Sequence, residues 1–201
     1  MNYFIDINGS NDLKAGSVYL LRETFKAGLL PQFTYHEDPS KNSIFIHTSF
    51  PRQLTKYPAI IVSVTSGTFD IQYLAQEYSK EEEIEGVKYN VFTGPIYLTL
   101  KIDIYARSEQ DRTRLTDFIA LAFRILFKEK LAERGFEYKD IKISGEGQEV
   151  TDTEIIFTNS VVIDVYTNYI LKIQQEVYDI IQRIDISKIV NNENIELINL
   201  Y

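Results

Sequence analysis

Between residues 95 and 131 a strict strand pattern runs straight into a capped amphipathic helix. Ile96, Leu98, Leu100, Ile102 and Ile104 alternate with Tyr97, Thr99, Lys101, Asp103 and Tyr105, the period of two expected of a strand with one buried face. Ala106-Arg107-Ser108 turns the chain, and a helical pattern follows to about Glu129. Ser108 and Asp111 form a start like a capping box, with Asp where Glu or Gln is usual. Leu115, Phe118, Ile119, Ala122, Ile125 and Leu126 then fall on one continuous apolar stripe, which predicts a helix packed against a sheet. Arg112, Arg114, Asp117, Arg124 and Lys128 lie largely outside that stripe, and Gly135 ends the helix.

The flanking sequence supplies the partners such a unit needs. Leu13, Ser17, Leu20, Leu21, Thr24, Phe25 and Leu29 recur at helical spacing after the turn residues 8–12, and this first helix ends near Gly28. Residues 31–42 read as a loop and 44–46 as a short strand. Phe50-Pro51 and Tyr57-Pro58 predict extended chain, because the residue before proline is pushed out of the helical region. Residues 59–65 are rich in β-branched side chains and predict a strand that turns at Ser66-Gly67. Residues 68–93 read as a long β-hairpin with its tip near 79–86, leading into Gly94-Pro95. A strand at 136–144, a hairpin turn at Gly145-Glu146-Gly147 and a strand at 154–170 follow. In the last strand Ile155, Phe157, Val161, Ile163 and Val165 share one face. Ile173, Val177, Ile180, Ile181 and Ile184 suit a short helix. The expectation is an α+β fold: a mostly antiparallel sheet packed against an N-terminal helix and a long central helix, with a β-hairpin. Residues 1–170 would form the domain and 171–201 a C-terminal extension whose exposed apolar residues dock on a partner or end as a frayed terminal helix.

Composition narrows the function classes. Formal net charge is −8, which argues against a protein that coats nucleic acid, since phosphate binding needs clustered Lys and Arg. There is no Cys, so disulfides, Cys-ligated zinc and thiol catalysis are excluded. No secretory leader and no apolar run long enough to span a membrane are expected. The 14 Tyr and 12 Phe suit either partner surfaces or a Tyr-rich strand surface. His36 sits among acidic neighbours and His47 at a strand end, without further ligands at metal spacing. Glu81-Glu82-Glu83 reads as a charged loop, and Gly145-Glu146-Gly147-Gln148 lacks the lysine of a phosphate loop. No catalytic residue, cofactor or metal is called for. The interface candidates are Arg107, Arg112, Arg114 and Arg124 around the central helix, since arginine favours interfaces. Tyr78, Glu81, Glu82 and Glu83 on the hairpin join them, as do Ile173, Val177 and Ile181 on the extension.

The order of elements resembles the tail-terminator and tail-completion proteins of long-tailed bacteriophages. The matching stretches are Tyr57-Pro58-Ala59-Ile60-Ile61-Val62, Gly94-Pro95 through Ile104-Tyr105-Ala106, the helix from Ser108 to Phe127 and the strand ending near Tyr169. The resemblance implies a structural virion protein without catalysis. It would form a homohexameric ring at the tail–neck junction, assembled in the host cytoplasm. Such a ring caps the tail tube, binds the sheath where the tail is contractile, and offers a docking surface to neck and head-completion proteins. DNA would pass its lumen without specific binding, and no membrane would be involved. Two other readings remain: a head–tail connector, neck or baseplate component, and a hydrolase dependent on His36 or a carboxylate.

Overall fold

A computed structural model describes residues 5–6, 10–48, 56–69, 78–84, 86–150 and 154–175. Its elements are β1 (Ile5–Asp6), α1 (Ser10–Lys26), β2 (Phe45–His47), β3 (Ala59–Phe69), β4 (Tyr78–Ile84) and β5 (Val87–Ala106). They continue with α2 (Glu109–Leu121), a π-helical turn (Ala122–Leu126), α3 (Lys128–Ala132), β6 (Glu137–Ile143), β7 (Gly147–Val150) and β8 (Ile155–Gln174). The fold is α+β. Among the described residues all strands join one sheet, and every pairing is antiparallel except β2 with β3.

Two 20-residue strands, β5 and β8, form the spine, in unbroken register from Tyr89↔Gln174 to Ala106↔Phe157. The other edge of β5 carries β4 and then β3, and that of β8 carries β1, β6 and β7. The alternation of 96–104 does what its period requires: Ile96, Leu98, Leu100, Ile102 and Ile104 are buried while their neighbours are half-exposed. Val161, Ile163 and Val165 of β8 lie directly across from Ile102, Leu100 and Leu98. Leu13, Leu21 and Phe25 of α1 and Leu115 and Ile119 of α2 share that cluster, so both helices cover one face of the sheet. The rings of Phe25 and Phe118, 5.7 Å apart, join the helices.

Several expectations change. Ser66-Gly67 is not a turn. Strand β3 continues through it, with the register shifting between Val64 and Ser66, and Gly67 lies across from Leu98. A Cβ on Gly67 would come within 3.3 Å of the Leu98 side chain, so close packing, and not a turn, explains the glycine. Gly94-Pro95 does not open β5 but lies inside it. Among the described residues, β5 lacks a partner on its other edge there, since β4 pairing ends at Thr93 and β3 pairing begins at Ile96. Proline, which has no N–H to offer, tolerates such a gap. The hairpin exists, but it closes between the paired Ile84 and Val87, where Gly86 has φ +79°. Glu81, Glu82 and Glu83 are strand residues paired with Asn90, Tyr89 and Lys88. Gly145–Gly147 is no hairpin turn either. β6 and β7 lie in succession along β8, and the interruption between Ile143↔Val161 and Gly147↔Thr158 holds one extra residue, a bulge. In β8 Phe157 lies across from the buried Ala106 and keeps the face of Val161, Ile163 and Val165, Ile155 is exposed at the strand end, and Ile156 is buried outside the main core cluster; Leu29 lies exposed beyond the end of α1. Strand β8 runs past 170 to Gln174, so Ile173 is a strand residue across from Asn90 and not part of a helix.

The central helix starts as its sequence dictates. Ser108 Oγ accepts the N–H of Asp111 at 3.1 Å and donates to the Asp111 carboxylate at 2.8 Å. Ser108→Ala should lower stability by about 1 kcal/mol, the usual worth of an N-cap. The readout is the urea midpoint at unchanged slope, and an unmoved midpoint would show the cap to be idle.

Candidate assembly surfaces

The π-helical turn creates the first surface. Phe127 N–H donates to Ala122 O at 2.9 Å, an i→i−5 bond that inserts one residue into the helical repeat. One residue is roughly 100° of rotation at 3.6 residues per turn. The buried face therefore passes from Leu115 and Ile119 to Phe123, Phe127 and Leu131. Ile125 and Leu126, expected in the core, are turned outward at 66% and 49% exposure, and Leu121 beside them is 55% exposed. Arg114, Arg124 and Lys128 are exposed on the same stretch of helix, and no ion-pair partner is found for Arg114 or Arg124 among the described residues. Arg124 and Lys128 also line a cleft of about 270 Å³ against Tyr138, Lys139, Asp140 and Ile141 of β6. Burial pushes the Tyr138 phenol well above its ordinary range.

The other two arginines have different roles. Arg112 is not a surface residue. Its side chain is 4% exposed, pairs with Glu146 at 2.7 Å and Glu109 at 3.6 Å, and keeps a buried Nε without a hydrogen-bond partner. Sequence spacing put it outside the apolar stripe, but the β6–β7 bulge carries Glu146 to it. Arg107 is exposed, pairs with Glu154 at 2.9 Å and lies 5.6 Å from the ring centre of Tyr57.

The second surface is the far end of the β5–β8 spine. No described residue of 78–95 belongs to the main core cluster, so β4 and the first part of β5 extend beyond the helices. Ile84 and Val87, across from each other at the tip, are both exposed, as are Glu81 and Glu83. Glu82 is half-buried and pairs with Lys172 at 3.0 Å, a contact that reaches from β4 over β5 to β8. The hydrogen bond from Lys172 holds the Glu82 carboxyl below its ordinary range. Tyr78 lies across from Thr93. Val177 and Ile181 lie outside the described residues.

The third surface is the helix-free face of the sheet. Tyr97 and Tyr166, directly across from each other, have ring centres 5.4 Å apart, and Lys139 Nζ lies 5.0 Å from the Tyr97 ring centre. Asp103 pairs with Lys101 at 2.9 Å and accepts the Ser160 hydroxyl. Asp164 accepts from Thr99 at 3.2 Å and pairs with Lys142, which also meets Asp140 at 3.1 Å. Burial, then the nearby Asp103, push the Tyr105 phenol up to about 12. These carboxylates are occupied by lysines and hydroxyls of the same face, so they form a cross-strand network and not a free acid–base couple. His36 is likewise engaged in its own loop: its Nδ1 accepts the Asp38 N–H at 2.9 Å. Among the described residues no group of three or more His, Asp or Glu side chains is arranged to hold a metal ion. No helix among them is long and apolar enough to cross a membrane.

The surface residues that sequence reasoning missed are Leu121, Ile125, Leu126, Ile84 and Val87. A signal for the first three existed. Leu115, Ile119, Phe123, Phe127 and Leu131 repeat every four residues, a period longer than 3.6 that an α-helix holds to one face only by accommodating an extra residue. No protein-family profile matches the chain, and no curated protein matches it in sequence.

Proposed function

We propose that this protein is a tail terminator of a long-tailed bacteriophage, a structural subunit that closes into a ring of about six copies on the end of the tail tube and presents a docking surface to the neck. The observation that carries this reading is the β5–β8 spine, covered by helices at one end and extended as an arm at the other. A subunit with a packed body and a projecting arm has two different surfaces, which a head-to-tail ring requires. The order of elements supports the family: an N-terminal helix, a strand after Tyr57-Pro58, a hairpin, a long strand and a capped helix, then closing strands. The paired-off charges of the helix-free face suit recognition by shape and hydrogen bonding more than chemistry. Sheath contact and unimpeded passage of DNA belong to the same proposal.

The test has two arms. Native mass spectrometry over rising concentration should show a discrete species near six copies, and the protein added to polymerising tail-tube subunits should arrest elongation and appear at tube ends by electron microscopy. A monomer at all concentrations, together with tubes that elongate unchanged, would refute the proposal.

A further inference from the structure

The arm tip and the π-turn patch have complementary surfaces. The tip offers exposed Ile84 and Val87, and residues 80–88 carry four glutamates against two lysines. The patch offers exposed Leu121 and Ile125, one helical turn apart, among Arg114, Arg124 and Lys128, with Asp117 and Glu129 the acids of the same helical stretch and Asp140 across the cleft on β6. Apolar meets apolar and acidic meets basic, the arrangement that favours docking and fixes its orientation.

The two surfaces of one chain cannot meet. The π turn lies at the level of Leu98, because Phe123 packs 6.2 Å from Tyr138, which is across from Val165, itself across from Leu98. Val87 is eleven residues further along the same strand, roughly 35 Å at the rise of a β-strand. The pairings of β5 with β4 and β8 hold that strand in line. The occupant of the patch is therefore sought on another molecule.

We infer that the β4–β5 hairpin tip of one copy docks on the π-turn patch of the next, with Ile84 and Val87 against Leu121 and Ile125. This rests on the ring reading above and names the contact that would close the ring. The contact is heterologous, so each copy gives one tip and receives one, and the same contact repeats until the rotation closes. It also explains the π turn: without the inserted residue, Ile125 would face the core and the patch would be lost.

The absence of cysteine from the chain makes the test direct. Single variants Ile84→Cys and Ile125→Cys, both at exposed positions, are mixed and treated with a short bismaleimide. A cross-linked dimer should form in the mixture and in neither variant alone, and the double variant should give a ladder of multiples. No dimer in the mixture, self-linking of Ile125→Cys, or linking of Ile125→Cys to a Val150→Cys variant at the exposed end of β7 would overturn the inference. Sedimentation of the same samples separates the two levels. A wild-type ring without the Ile84–Ile125 link leaves the ring reading and removes this contact. A link without any particle larger than a dimer keeps the contact and removes the ring.

Discussion

Phe123→Ala should lower the free energy of unfolding by about 3–5 kcal/mol, the range for emptying a fully buried phenylalanine site. The ring has no exposed surface and meets Phe127 edge-on at 4.9 Å and Tyr138 at 6.2 Å. Ile125→Ala, two positions away, should change stability by no more than about 0.5 kcal/mol, as exposed positions do. An uninterrupted α-helix predicts the reverse order, since it places Ile125 in the core stripe. Urea unfolding of the two variants therefore reads the register of the helix beyond Leu121. If Ile125→Ala proved the more damaging, the π turn would be wrong and the assembly patch with it.

Glu146→Ala should destabilise the protein by about 1–3 kcal/mol, and Arg112→Met by about 1 kcal/mol or less. The asymmetry follows from which partner is buried. Removing Glu146 leaves a buried guanidinium, whose Nε already lacks a partner, with Glu109 at 3.6 Å and the Thr113 hydroxyl at 3.4 Å, and a poorly paired buried charge is expensive. The expected loss stays below the usual figure for a buried pair because the Glu146 side chain is itself 63% exposed. Removing Arg112 in favour of a similar apolar volume lets Glu146 hydrate freely. In the double variant the two effects should not add, because the second change removes what the first one stranded. If Arg112→Met cost as much as Glu146→Ala, the ion pair would be a net stabilising contact and the asymmetry argued here would be wrong.

Local periodicity was readable where the physics is local. Alternation at 96–104 sets which side chains face the helices, because successive residues of a strand point to opposite faces whatever the partner. The Ser108 cap was legible for the same reason, since its hydrogen bonds close within three residues. Turn residues were less informative. Gly67 serves the packing of Leu98, and Gly94 lies under the Tyr169 ring, 2.8 Å from where its Cβ would be. Gly67 was expected in a turn and Gly94 at the opening of a strand, and each is inside a strand, because a glycine that makes room for a neighbour looks in sequence like one that bends the chain.

The sequence by itself determined the α+β class, the buried face of the central strand and the start of the central helix, all of them consequences of spacing within a few residues. Only the tertiary structure decided that Arg112 is internal, that Ile125 and Leu126 are external, and that Glu81–Glu83 lie on a projecting strand. Each of those outcomes depends on a partner distant in sequence: Glu146 for the arginine, Tyr138 for the helical face and Lys172 for the hairpin. Residue type limits what a side chain can bind, but whether it is core or surface is settled by which distant segment the sheet brings beside it.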